Sequence, residues 1–248
     1  MVTNYQPGST GTGYAPNNPS PQGVGLATYA DWATNEVLSR PPEIRLAEDW
    51  IPNWGRTLGA IANARGIHEL MGIICSRWEF LGRLYLGRTG DTGVEEAIAY
   101  ADEFLLPINN GYRQLHNMSG RAQQPGKPRS DFITMFRTKP IHSGTPAAVA
   151  LPGSVSLIGW WVGFFDEVTR TKHLQVSDGA IWVDGGVLLD EFILSLRTFA
   201  YYLQHDNDLL DGHSPRQRWQ RGFWASFKPI WFPEQDWIKE GVTRGIPS

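Results

Sequence analysis

Arg137 and His142 lie in the run Phe136-Arg137-Thr138-Lys139-Pro140-Ile141-His142, with four residues between them. On a helix that ends through its C-terminal turn, that spacing puts the two side chains near one face. The pair suits RNA cleavage without a metal. A histidine titrating near neutrality can move a proton at the attacking 2′-hydroxyl or at the leaving oxygen. An arginine can hold the phosphate and offset the charge that builds on it. The plainer reading makes Arg137 a solvated or structural cation and His142 a cap or core hydrogen-bonder. A chain this rich in arginine produces such a spacing from composition alone, so the pair needs context.

A second set of chemistry-bearing residues follows Pro215. Arg216, Arg218 and Arg221 interleave with Trp219, Phe223, Trp224 and Phe227, and Lys228 and Trp231 come next. Cations alternating with stacking aromatics are what single-stranded nucleic acid requires, so Arg216, Arg218, Trp219 and Arg221 are candidate nucleic-acid-binding residues. The same pattern fits an arm that packs its aromatics on its own helical body or on a neighbouring subunit, with the arginines in water. The net charge of −3 favours the latter.

Other chemistries find little footing. His205 to His213 gathers Asp206, Asp208 and Asp211 with two histidines, but the glycine and terminal glutamate of a calcium loop are out of place. An exposed turn and no metal site are expected there. The lone Cys75 excludes a disulfide within the chain and a cysteine-based metal centre. There is no glycine-rich phosphate loop, no His-Glu-x-x-His and no Gly-x-Ser-x-Gly, so no cofactor is expected.

The elements that must hold these residues are mostly helical. Thr28 caps a short helix to Leu38, stopped by Pro41-Pro42. Asn53 caps a long one, in which Ile67, Leu70, Met71, Ile74, Trp78, Leu81 and Tyr85 recur every three or four residues towards Gly87. A helix from Thr92 to about Leu106 has Glu95 as its capping-box partner, and Ile108 to Asn117 is a further short piece. Ser130 or Asp131 caps a helix from Phe132 to about Lys139. Val155, Leu157 and the apolar run to Val162 read as a strand, and Ser177-Asp178-Gly179 is a hairpin turn between Leu174/Val176 and Ile181/Val183. The last strong helix runs from about Val187 to Leu203. These readings give a mainly α helical bundle with a small β-hairpin insertion, at about 154–184, before the last core helix.

Hydrophobic residues make up 41% of the 248 and charged ones 19%, a globular balance. Residues 1–26 are dominated by Pro, Gly, Ser, Thr and Asn and read as a disordered arm. Residues 27–204 read as the helical domain and 205–248 as a basic, aromatic extension. No apolar run approaches the ~20 residues of a membrane helix. Met1 to Tyr5 carry no secretory pattern, so a cytoplasmic location and no membrane partner are expected.

The order of segments resembles a group of bacterial HEPN-like proteins. The resemblance rests on Leu81-Gly82-Arg83-Leu84-Tyr85-Leu86-Gly87 at the end of a long helix and on Tyr100 to Phe104 in the next. It continues with a helix ending in Arg137 to His142, and with His173 before a short β insertion and a final amphipathic helix. It covers roughly Gly66 to Leu203. It implies a bundle that forms homodimers with the two Arg/His pairs facing each other, and RNA cleavage or RNA or nucleotide binding in defence or toxin systems. Only Arg137 and His142 carry over as functional residues. Thr138 stands where active members commonly have Asn, and Pro140 removes a backbone donor inside the motif. An expectation of a different class is a structural or assembly subunit, for example a virion component. Such a protein would use both chain ends, and its eleven tryptophans, for contacts between subunits.

Overall fold

The computed structural model describes residues 25–91, 93–113, 149–150 and 157–248. Arg137, His142 and the helix expected over 132–139 lie outside the described residues. The rest is mainly helical with a small sheet. Helix α1 spans Leu26–Leu38, and α2, Pro42–Ile44, runs through a π-helical turn at Arg45–Trp50 into α3, Ile51–Asn63. Next come α4, Ile67–Leu86, and α5, Val94–Phe104. Strands β1 (Val149–Ala150) and β2 (Leu157–Gly163) precede the short α6, Glu167–Thr171. Strands β3 (Val176–Ser177) and β4 (Ala180–Asp184) lead into α7, Gly185–His205, and then α8, Pro215–Ala225, and α9, Glu234–Thr243.

The long helix expected from Asn53 is two helices. Arg65 adopts a left-handed φ of 56°, and the Gly66 amide donates back to the Ile61 carbonyl at 3.0 Å, which closes α3 before α4 begins. At the far end of α4, Gly87 is left-handed and Arg88 N–H donates to the Arg83 carbonyl, as the sequence suggests. The start of α5 is capped one residue later than expected, with the Gly93 amide donating to Glu96 Oε2 at 2.8 Å. Helix α4 is the central strut. A Cβ at Gly82 would lie 1.8 Å from the Glu96 carbonyl oxygen, so α5 crosses α4 on a bare backbone. On another face Gly222 brings α8 against Arg83 and Leu84.

The sheet has strand order β1-β2-β4-β3. Its hairpin turns at Asp178 and Gly179, both left-handed at φ 55° and 71°, the geometry of a type I′ turn. Strand β2 runs parallel to β4, from Gly159 opposite Ala180 to Gly163 opposite Asp184. The chain therefore crosses over through α6 between them. Asp184 ends β4 and caps α7, accepting from Gly186 N and Val187 N, a contribution of about 1 kcal/mol. From there Leu188, Phe192, Leu196, Phe199 and Leu203 are buried in the core.

Residues 205–248, read from sequence as an extension, contribute to that same core. Trp219, Trp224, Trp237 and Ile246 belong to the continuous cluster that begins at Ala30. Trp224 and Trp237 stack at 4.3 Å, and each indole N–H donates to the other's carbonyl at 3.1 Å. Tyr29 of α1 donates to the Phe227 carbonyl, and Arg244 after α9 pairs with Asp31. Among the described residues, no helix is long and apolar enough to cross a membrane.

Candidate functional site

Three features gather chemistry-bearing side chains. The first is a buried polar chain at the junction of sheet and bundle. Glu191 projects from α7 and accepts from Asn109 Nδ2 at 2.9 Å and Tyr112 Oη at 2.6 Å, both in the loop after α5. His173, before β3, contacts Glu191 Oε2 through Nε2 at 3.2 Å and accepts the Asp184 backbone N–H on Nδ1 at 2.9 Å. That second bond requires an unprotonated Nδ1, so the proton sits on Nε2 and is donated to the carboxylate. Asp184 Oδ2 in turn accepts from Thr169 Oγ1 at 2.8 Å.

Burial alone would raise the Glu191 carboxyl, but the bonds from His173, Tyr112 and Asn109 outweigh it and hold the group below the usual carboxylate range. Burial, reinforced by the neighbouring carboxylate, pushes the Tyr112 phenol well up. Both ring nitrogens of His173 are engaged inside the fold, and so are both Glu191 oxygens. Chemically the cluster is a lock that ties the loop after α5, the segment after α6 and the start of α7 together.

The second feature is the arginine-rich helix α8. Trp219 is fully buried, between Trp50 and Phe223. Arg218 is 1% exposed, with its guanidinium over the rings of Tyr85 and Tyr202 and paired to Asp208 at 3.1 Å. Burial, with Glu103 beside it, pushes the Tyr85 phenol up to about 12. Arg216 pairs with Glu43 of α2 at 2.5 Å, and Arg221 is half-buried. Trp219, Phe223, Trp224 and Phe227 thus pack on the protein's own bundle, and Arg218 is drawn in with them rather than left in water. As placed, Trp219 offers no face to a base, and burial shuts the Arg218 guanidinium away from a phosphate. The acidic turn beside them is used internally too. Asp206 Oδ1 accepts the Arg216 amide, Asp208 binds Tyr202 and Arg218, and His213 Nε2 bonds the Ser248 carbonyl. Among the described residues no group of three or more His, Cys, Asp or Glu could hold a metal ion.

The third feature is exposed and apolar. Trp161 of β2 is 59% exposed and stacks on Trp182 of β4 at 5.6 Å, with Lys172 Nζ over the Trp182 ring at 4.3 Å. Phe165, just before α6, and Val168, within it, are exposed as well. A cleft of about 480 Å³ opens between the α3–α4 turn and the end of β2, lined by Arg65, Ile67, Gly163, Phe164, Phe165 and Asp166. Elsewhere, in the loop between α8 and α9, Ile230 is 84% and Trp231 97% exposed.

No family model matches the chain, and no curated protein or solved structure compared with it does either. The site must therefore be read from its own chemistry. Sequence reasoning singled out Arg137 and His142, which lie outside the described residues, and the α8 arginines, which the fold draws inward. It did not single out Glu191, whose partners are far apart along the chain. It also passed over Phe165 as a site residue and took Trp231 only as a continuation of the arginine-aromatic run. Tryptophan count alone does not tell which rings reach solvent.

Proposed function

We propose that this protein is an assembly subunit that engages a protein partner through aromatic side chains held out by its rigid frame. The observation that carries this reading is the exposure of Trp161, Phe165, Ile230 and Trp231 on an otherwise Trp-cored protein. Aromatic anchors of this kind dominate interface energetics, and large apolar groups shown to water cost a monomer solubility without return. In this reading the contacts come from the sheet, α6 and the α8–α9 loop. Helices α8 and α9, in the stretch that the sequence suggested as an arm packing on its own body or on a neighbouring subunit, serve as the frame that holds that loop. Sedimentation of the full chain across a range of concentrations tests it. Self-association, or a stable complex with a copurifying partner, is expected. A monomer at every concentration that binds nothing would overturn it.

A second reading keeps RNA as the partner. Arg137 and His142 stand at a spacing suited to metal-independent cleavage, and a mainly helical body is what the HEPN-like resemblance implies. On this reading wild-type protein cleaves RNA and His142→Ala does not. Equal cleavage by both, or none by either, removes it.

A further inference from the structure

Helix α7 turns one face to the core and the opposite one to solvent. Leu188, Phe192, Leu196, Phe199 and Leu203 make the buried face. At about 100° per residue, Gly186, Asp190, Leu194, Arg197 and Tyr201 fall within an arc of about 80° on the far side. Asp190 and Arg197 are exposed, and Leu194 and Tyr201 are 46% and 62% exposed. Gly186 has no side chain of its own, but a Cβ there would lie 2.5 Å from the Phe165 ring. Phe165 thus stands where a side chain at position 186 would be, and it is 58% exposed itself. Along the helix the stripe reads aromatic, acid, leucine, base, aromatic.

Neither charge is used inside the fold. Asp190 and Arg197 stand about 10 Å apart along the helix axis, and among the described residues neither has an ion-pair or side-chain hydrogen-bond partner. The Tyr201 ring is braced by His205 at 3.9 Å. The order of the stripe has a property that a merely solvated face lacks, because it is its own complement when reversed. Asp190 and Arg197 are centred on the point between Ile193 and Leu194, and so are Gly186 and Tyr201. Laid antiparallel on a copy of itself about that point, the stripe sets Asp190 against Arg197 twice and Tyr201 against the Phe165 ring twice, with Leu194 beside Leu194. Like charges then stand about 10 Å apart along the axis. A parallel pair would set acid on acid and base on base.

We propose that two copies of this chain pair through this face of α7, antiparallel about a two-fold axis at Leu194. The interface is isologous, the same patch on both copies, and it closes as a dimer. Helices packed antiparallel at about 20° hold their axes about 8–10 Å apart. At that distance Leu194 reaches Leu194 of the second copy and both Asp190–Arg197 pairs close. The Tyr201 and Phe165 rings at the two ends supply the aromatic anchors. From Gly186 to Tyr201 the contact is about 24 Å long. That is small for a specific interface, so a dimer dissociating in the micromolar range is expected. This inference rests on the assembly reading and names its partner and its surface, which Phe165 shares with the exposed aromatics of that reading.

Charge reversal tests both the surface and its register. In sedimentation velocity of the full chain, Asp190→Arg and Arg197→Asp should each weaken self-association by at least about 10-fold, since each turns both ion pairs into like-charge contacts. Both positions are exposed, so the melting temperature should hold. An equimolar mixture of the two variants sets two positive positions on one copy against two negative ones on the other. It should recover a one-to-one complex close to wild-type strength, and so should the chain carrying both substitutions. If wild type self-associates and the single variants do so equally well, this inference falls while the assembly reading stands. If the single variants dissociate but neither the mixture nor the double variant recovers, the antiparallel register is wrong and the proposal is overturned. A wild-type monomer in a stable complex with a different protein also removes this inference and leaves the assembly reading. A wild-type monomer that binds nothing removes both.

Discussion

Replacing Glu191 probes the lock between sheet and bundle. In Glu191→Ala the Tyr112 hydroxyl, the His173 Nε2–H and the Asn109 amide all lose their acceptor. Tyr112 and His173 are buried, so water reaches them poorly. At about 1–3 kcal/mol per buried donor left unsatisfied, the loss should be about 3 kcal/mol or more. That is a large part of the ~5–15 kcal/mol that holds a typical domain together. Glu191→Gln should cost less, about 1–2 kcal/mol, because its amide oxygen still accepts and the Tyr112 hydroxyl can rotate to receive the new N–H. The informative quantity is how the gap between wild type and Glu191→Gln changes with pH. The Glu191 carboxyl is held below its ordinary value in the folded protein. Its contribution is therefore full above the unfolded carboxyl value of about 4.3, and is lost as pH falls through the lower folded value. Urea titrations at pH 7, 5, 4 and 3 should show the gap constant down to about pH 5 and closing below it. A gap that stays the same at pH 3 would mean that the three bonds do not hold Glu191 ionised, and the account of the lock would be wrong.

Two other perturbations follow from the geometry. Gly82→Ala drives a methyl group into the Glu96 carbonyl and must push α5 off α4, so a fall of roughly 2–3 kcal/mol or outright misfolding is expected in a urea melt. An unchanged midpoint would refute the close crossing. At the alkaline end, burial raises Tyr85 to about 12 and raises Tyr100, Tyr112 and Tyr202 as well. Neutral phenols thus support the fold fully below the ordinary tyrosine value of about 10, and that support is lost as pH rises through the higher folded values. Tyrosinate absorbance should lag and then rise together with the loss of helical circular dichroism, whereas smooth titration near pH 10 with the helix intact would contradict the burial of these rings.

How much of this could be read in the sequence depended on whether the signal was local. The Ser177-Asp178-Gly179 turn, the Gly87 stop and the face of α7 from Phe192 to Leu203 were legible, because each rests on neighbours a few residues apart. The break at Arg65 was not, since a left-handed arginine leaves no compositional mark. Helices α8 and α9 were hidden for a related reason. The inward face of α8 includes Arg218, a charge that periodicity counts as solvent-facing but that the rings of Tyr85 and Tyr202 and the carboxylate of Asp208 draw inside. Of the candidate site, the residue types were visible and their surroundings were not. Glu191 has partners 79 and 82 residues away, and the exposure of Trp231 depends on a turn that sequence alone would assign to glycine.

The hydrogen bond from Tyr29 to the Phe227 carbonyl spans 198 positions of chain. A ribosome adding about 5–20 residues each second needs on the order of 10–40 s to cover that span. Through that interval the face of α1 carrying Ala30, Ala33 and Val37 waits for α8 and α9 to emerge. The nascent protein thus holds an apolar helix open for most of its own synthesis. Co-translational chaperones have their longest access at that helix, and a stop codon or protease cut before α8 would leave it uncovered for good.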